Sequence, residues 1–136
     1  MTTDLRIVID TNIYVSRLLA PGSIPAQAVD RAFNDATVLL SDATLEELAD
    51  VLGRRKFDAY ISPEECKIFI RLVGSAAKII PIHRHFQVCR DAKDDKFLDL
   101  AVNGEGNAII TGDKGLLALN PFHGVAIMSP ADYLKR

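Results

Sequence analysis

A chain of 136 residues, 49% hydrophobic and 25% charged with a net charge of −2, fits one domain that buries an apolar core without covalent staples. That balance neither advertises nucleic-acid binding nor excludes it, because a local basic rim can coexist with an acidic centre. Cys66 and Cys89 stand far from any CxxC spacing and indicate neither a zinc site nor a disulfide framework, and no apolar run approaches a membrane span. The start also lacks a basic segment followed by an apolar one, so the expectation is a cytoplasmic protein with no membrane partner.

Leu5 to Ile9 holds four aliphatic residues and runs directly into Asp10, Thr11 and Asn12. A short apolar run that ends abruptly in polar groups reads as a buried parallel strand. Ligands of open α/β sheets bind beyond the carboxyl ends of such strands, which places Asp10 at the relevant edge. Ile13 to Ala20 reads as a short helix capped by Asp10 or Asn12, and Pro21-Gly22-Ser23 as a loop. Pro25 suits the first turn of a second helix over 26–36. Val38 to Leu40 is a second strand, and Ser41 or Asp42 opens a third helix to about Gly53, followed by Arg54-Arg55-Lys56 at its negative end.

Ser62-Pro63-Glu64-Glu65 is a helix start with a cap, a proline and a capping box, and that helix extends to about Ala76. Lys78 to Ile82 is expected as a third strand, interrupted by Pro81. His83 to Lys93 is a polar connection, and a fifth helix runs from Asp94 to about Asn103, ended by Gly104-Glu105-Gly106. Ala108 to Thr111 is a fourth strand. A short helix from Lys114 to Leu119, a fifth strand from Val125 to Met128 and a terminal helix opened by Ser129-Pro130 complete one domain over residues 1–136. Strands alternating with helices imply a parallel sheet covered on both faces.

Carboxylates recur where strands end or helices begin: Asp10, Glu46-Glu47, the Asp91/Asp94/Asp95 group and Asp113. Each alone reads as a helix cap or a solvated side chain. Their recurrence at one sheet edge is what points to chemistry. At about 100° per residue, Phe97, Leu98, Leu100 and Ala101 define an apolar side centred near Asp94, with Asp95 and Asp99 pointing away from it. Asp95 is therefore expected to contribute only helix-end electrostatics of about 0.3–1 kcal/mol. Periodicity does not choose between Glu46 and Glu47. Crowded carboxylates raise one another's pKa, and a hard cation such as Mg²⁺ or Mn²⁺ relieves that cost and can promote phosphodiester hydrolysis.

Val8-Ile9-Asp10-Thr11-Asn12, Leu45-Glu46-Glu47-Leu48, Arg90-Asp91 through Asp94-Asp95-Lys96-Phe97-Leu98, and Ile110-Thr111-Gly112-Asp113-Lys114 resemble, in order, the motifs of the PIN-domain ribonucleases. The likeness is strongest to the group described as toxin components of prokaryotic toxin–antitoxin systems. The resemblance implies a three-layer α/β/α sandwich with a central, mostly parallel sheet of about five strands. It also implies Mg²⁺- or Mn²⁺-dependent cleavage of RNA, a small antitoxin partner and a homodimer. Its acidic positions fall on Asp10, Glu47, Asp94 and Asp113, with Asp10, Asp94 and Asp113 as metal ligands. Thr11, Asn12 and Thr111 would orient those ligands. Arg54, Arg55, Lys96 and Lys114 are candidate RNA contacts.

Two departures lower the local negative charge: Gly115 replaces an acid that often follows the Thr-Gly-Asp-Lys motif, and Lys93 stands in the Asp91-to-Asp94 segment. Both bear on a second metal site. His83 and His85 alternate and would share a face of a strand, but no third ligand lies within reach, and solvent- or RNA-facing roles suit them better. No aromatic-rich basic run marks a base-stacking platform. The alternatives are a PIN fold that only binds RNA or protein, and a receiver-like phosphoacceptor domain. A receiver is expected to bring an acid pair to its first strand and a phosphoacceptor Asp to its third, and neither is present here.

Overall fold

The computed structural model describes residues 4–136. Strands β1 (Arg6–Ile9), β2 (Thr37–Leu40), β3 (Lys78–Ile79), β4 (Ala108–Ile110) and β5 (Ala126–Met128) form a five-stranded sheet in the order β3-β2-β1-β4-β5. Every pairing is parallel, with Val8 beside Leu39 on one side and Ile109 on the other. The helices are α1 (Thr11–Leu19), α2 (Ile24–Asp35), α3 (Asp42–Leu52), α4 (Pro63–Ala76), α5 (Asp95–Asn103), α6 (Lys114–Leu117) and α7 (Pro130–Leu134).

Side chains alternate across the sheet with period two, and each set meets its own layer. Ile7, Ile9, Val38, Leu40 and Ile110 enter one core with residues of α1–α4 and α7. Val8, Leu39, Ile109 and Ile127 enter a second core with residues of α5 and α6. The result is the expected three-layer α/β/α sandwich, with an all-parallel sheet among the described residues.

Sequence and caps agree closely at the helix starts. Ser23 caps α2, Ser41 caps α3 with Thr44 closing a capping box, and Ser62 with Glu65 does the same for α4. The third strand is shorter than expected. After the Ile80 N–H bonds the Leu40 carbonyl, Pro81 offers no donor and the ladder stops at a sheet edge.

The chain builds β1, β2 and β3 outward in one direction, then returns through α5 to β4 on the other side of β1. The carboxyl ends of β1 and β4 therefore meet at a topological switch point, where open α/β sheets bind ligands. The receiver-like alternative does not fit this sheet, because a flavodoxin-like order is 2-1-3-4-5.

Helix α5 fixes one wall of that crevice. Phe97, Leu98 and Leu100 are at most 1% exposed, and burying each contributes about 1.5–3 kcal/mol, so the rotation of the helix is set. At its far end Gly104 lies against the sheet, where a Cβ would come within 2.7 Å of the Leu39 side chain.

The polar side of α5 departs from expectation. Instead of facing water, it holds the extended segment 83–89. Asn103 Oδ1 accepts the His83 and Arg84 N–H groups, Asp99 Oδ1 accepts Phe86 N–H at 2.7 Å, and Asp95 Oδ1 accepts those of Val88 and Cys89. Residues 95, 99 and 103 lie one helical turn apart and replace a strand partner for this segment. Asp99 is buried as a consequence.

Candidate active site

Asp10 follows β1 and caps α1. Its Oδ1 accepts the Asn12 N–H at 3.4 Å, and its Oδ2 accepts the Thr111 hydroxyl at 2.6 Å. Thr111 is fully buried and also accepts the Asp113 N–H at 3.0 Å, so one hydroxyl ties the ends of β1 and β4 together. Asp113 caps α6 through Oδ2, which accepts Leu116 N–H at 2.9 Å. Gly115 leaves that carboxylate uncovered on one side: a Cβ there would lie 3.0 Å from Oδ2.

Asp94 ends a 3-10 turn (Ala92–Asp94) and sits at the N-terminus of α5 without a side-chain capping bond. Glu47, in the middle of α3, is half-buried, whereas Glu46 is exposed. The Thr11 hydroxyl donates to Glu47 Oε2, and Lys96 Nζ lies 2.8 Å from Oε1. Asn12 presents an exposed side chain, and its backbone serves Asp10.

The electrostatics show that these acids feel one another. Burial raises the Asp10 pKa above its ordinary value, the Thr111 and Asn12 hydrogen bonds pull it back, and Glu47 and Asp113 push it up again. Asp94 is pushed up to about 6, first by burial and then by Asp113, Asp10, Asp91 and Glu47. Asp95 behaves oppositely. Burial acts to raise it, but the Cys89 and Val88 N–H groups and the Cys89 thiol outweigh that and hold it low.

A cleft of about 240 Å³ opens between Asp91, Asp94, Asp113 and Gly115, with Cys89 and Arg90 on its rim. Beside it, a wider groove of about 730 Å³ is lined by Glu46, Glu47, Asp50, Arg54, Lys93 and Lys96. Of the candidate RNA contacts, Arg54 and Lys96 line this groove. Arg55 lies on the 3-10 turn Arg55–Phe57, and Lys114 is exposed at the start of α6.

An all-oxygen carboxylate set in which Asp10 and Asp94 have raised pKa values suits a hard divalent cation. Among the described residues, no three acidic, histidine or cysteine side chains already converge into a cation cage. The local bonds explain this: Thr111, Leu116, Thr11 and Lys96 each hold one carboxylate in place. Of Asp10, Glu47, Asp94 and Asp113, Asp94 is the one with no side-chain hydrogen bond among the described residues.

Three features escaped the sequence. His83 and His85 lie beyond the strand, which ends at Ile79, and His85 bonds Asp99, a partner no sequence pattern indicated. Lys96 pairs with Glu47 across α3 and α5, a contact between residues 49 positions apart with no local signal. Arg90 stands on the rim next to the backbone that Asp95 holds at Val88 and Cys89, a contact with no local signal. The surroundings of both cysteines favour the thiol over the thiolate. Burial and then Glu65 and Asp58 raise the Cys66 thiol, while burial, a hydrogen bond to Asp95 and nearby acids push Cys89 up to about 12.

Comparison with known proteins agrees with this fold. The sequence profile of the PIN domain matches residues 6–115. An uncharacterized protein of Methanocaldococcus jannaschii, MJ1680, is 33% identical over 117 residues, covering 85% of this chain and 75% of that protein. The fold is similar to VapBC2 from Rickettsia felis, solved bound to a DNA fragment from their promoter, with a TM-score of 0.63 at 12% identity over 92% of this chain and 98% of that one. It is also similar to PAE2754 from Pyrobaculum aerophilum, with a TM-score of 0.62 at 15% identity over 97% of this chain and 88% of that one.

Proposed function

The chain belongs to the PIN-domain family, and on that premise we propose that it is a divalent-metal-dependent endoribonuclease and the toxin of a toxin–antitoxin pair. The observation that carries this reading is the placement of Asp10, Glu47, Asp94 and Asp113 around the switch-point crevice, where Asp113, Asp10 and Glu47 raise the pKa of Asp94, and Glu47 and Asp113 raise that of Asp10. Asp10, Asp94 and Asp113 would hold Mg²⁺ or Mn²⁺, which supplies phosphate neutralisation and water activation when bound.

The protein groups divide the remaining work. Thr111 fixes the Asp10 carboxylate through a buried hydroxyl, so one ligand is oriented before substrate arrives. Glu47 has both oxygens held, by Thr11 and Lys96, and remains a fixed negative group beside Asp10. Lys96 uses one N–H on Glu47 and keeps two for the RNA, while Arg54 and Lys93 further along the same groove offer positive charge to its phosphates.

The same proposal includes a small antitoxin, a homodimer, a cytoplasmic location and one domain spanning the chain. An apolar groove of about 520 Å³ between α1, α2 and α4, with Ile68 and Leu72 exposed on it, supports docking of a protein partner. No helix among the described residues is long and apolar enough to cross a membrane.

A binding-only PIN fold is the second reading, favoured by the splayed carboxylates. One experiment separates the two. Purified protein, freed of any partner, is incubated with varied RNAs in Mg²⁺, Mn²⁺ or EDTA. Cleavage in either metal that EDTA abolishes fits the nuclease, whereas RNA binding without cleavage in any metal contradicts it.

A further inference from the structure

We propose that the pocket between the start of α3, residues 80–82 and α5 is a nucleobase subsite, which seats the base of the nucleotide next to the scissile phosphate and favours guanine. This assignment rests on the ribonuclease reading above. The pocket has a volume of about 260 Å³ and a mixed lining. Ile80, Pro81 and Ile82 supply an apolar wall. Asp42, His85 and Lys96 add polar groups to the lining.

Lys96 joins the pocket to the acidic crevice. Its Nζ lies 2.8 Å from Glu47 Oε1, so a base in the pocket sits one side chain away from the catalytic acids. His85 is pre-oriented. Its Nδ1 lies 3.0 Å from Asp99 Oδ2, the Asp99 side chain is 11% exposed, and the other Asp99 oxygen holds the Phe86 N–H. A nearly buried carboxylate thus anchors one nitrogen of an imidazole whose side chain is 71% exposed, and Nε2 has no hydrogen-bond partner among the described residues. The fold needs Asp99 for the Phe86 N–H; it does not need the imidazole.

The charges favour a base over a phosphate. Lys96 is already matched by Glu47, and Asp42 and Asp99 add negative charge on the pocket side. A flat ring with an apolar face and mixed donors and acceptors on its edge fits such a lining, as in single-stranded RNA recognition. Guanine offers O6 and N7 to the Lys96 ammonium, and N1–H and N2–H to the Asp42 carboxylate.

The test uses the full chain and single-stranded RNAs that differ only in the bases flanking the cleaved bond. Guanine beside that bond should lower KM relative to the other bases. Asp42→Ala should raise KM on the guanine substrates roughly tenfold, the loss of one edge contact, and His85→Ala, which removes part of the pocket lining, should raise it in the same direction; both should leave kcat and cleavage of the other RNAs unchanged. In parallel, GMP, AMP, CMP and UMP are titrated into the protein while the His85 ring is followed by NMR. GMP alone should shift it strongly. Uniform loss on every RNA, or no base preference in the wild type, overturns the subsite. Should no RNA be cleaved, the nuclease reading fails, and the titration alone then decides the pocket: an absent or base-independent shift at His85 overturns it.

Discussion

Asp94 leaves its carboxylate without a hydrogen bond at the mouth of the cleft, while Asp95 spends its own on the Val88 and Cys89 backbone. Two adjacent, chemically identical side chains therefore predict opposite mutant behaviour. The folded-state pKa of Asp94 is raised to about 6, so protonation stabilises the fold, and that contribution is lost as pH rises through about 6. Asp94→Asn should then raise the metal-free Tm at pH 7–8 and weaken Mn²⁺ binding and cleavage. The Tm gap should close as pH falls toward the ordinary carboxylate range. A lower Tm for the mutant at pH 8 would contradict the assignment. Asp95→Ala should instead destabilise by about 1–3 kcal/mol, because two backbone donors lose a charged acceptor. Asp95→Asn, which keeps an acceptor oxygen, should cost less. Chemical denaturation of both variants measures the difference. The inward aim of Asp94 was legible from the spacing of Phe97, Leu98 and Ala101. The task of Asp95 was not, because the segment that covers it has no periodicity of its own.

Helix α5 has two occupied sides. Its apolar side was readable from the sequence and sets the register of Asp94 against the sheet. Its polar side binds segment 83–89 through Asp95, Asp99 and Asn103, and Asn103 also donates to the Arg84 and Asp99 carbonyls. Asn103→Ala should cost about 1–3 kcal/mol and speed amide exchange at His83 and Arg84 while sparing the sheet strands. Unchanged exchange there would show that the ladder does not hold the segment. Between α3 and α5, Lys96 and Glu47 form a pair in which each side chain is under a quarter exposed. Helix caps such as Ser62 with Glu65 are local and could be read from four residues. The shortness of β3 and the Lys96 contact depend on what lies across the fold, which neither propensity nor pattern encodes.

Across the whole molecule, the sheet order β3-β2-β1-β4-β5 puts the end of β1 beside the end of β4, and the buried Thr111 locks the two together. The order of strands and helices was legible from apolar runs and turn residues, and the family motifs sorted four acids out of 18. Their placement along one edge of the sheet follows from the crossover through α5. A crevice that concentrates repelling carboxylates should gain stability from the cation it accommodates, so Mn²⁺ should raise Tm more at pH 8 than at pH 5, where Asp94 is largely protonated. Equal shifts at both pH values would place the cation elsewhere. The central claim, that these acids carry out metal-dependent RNA cleavage, is tested most directly by comparing wild type with Asp10→Asn under one Mn²⁺ concentration, after removal of contaminating nuclease. An amide is a poor substitute for an anionic metal ligand, and removing a 5% exposed charge spares the fold a desolvation cost. The variant should keep the wild-type circular dichroism spectrum and lose nearly all cleavage; equal cleavage by the two proteins would contradict the account.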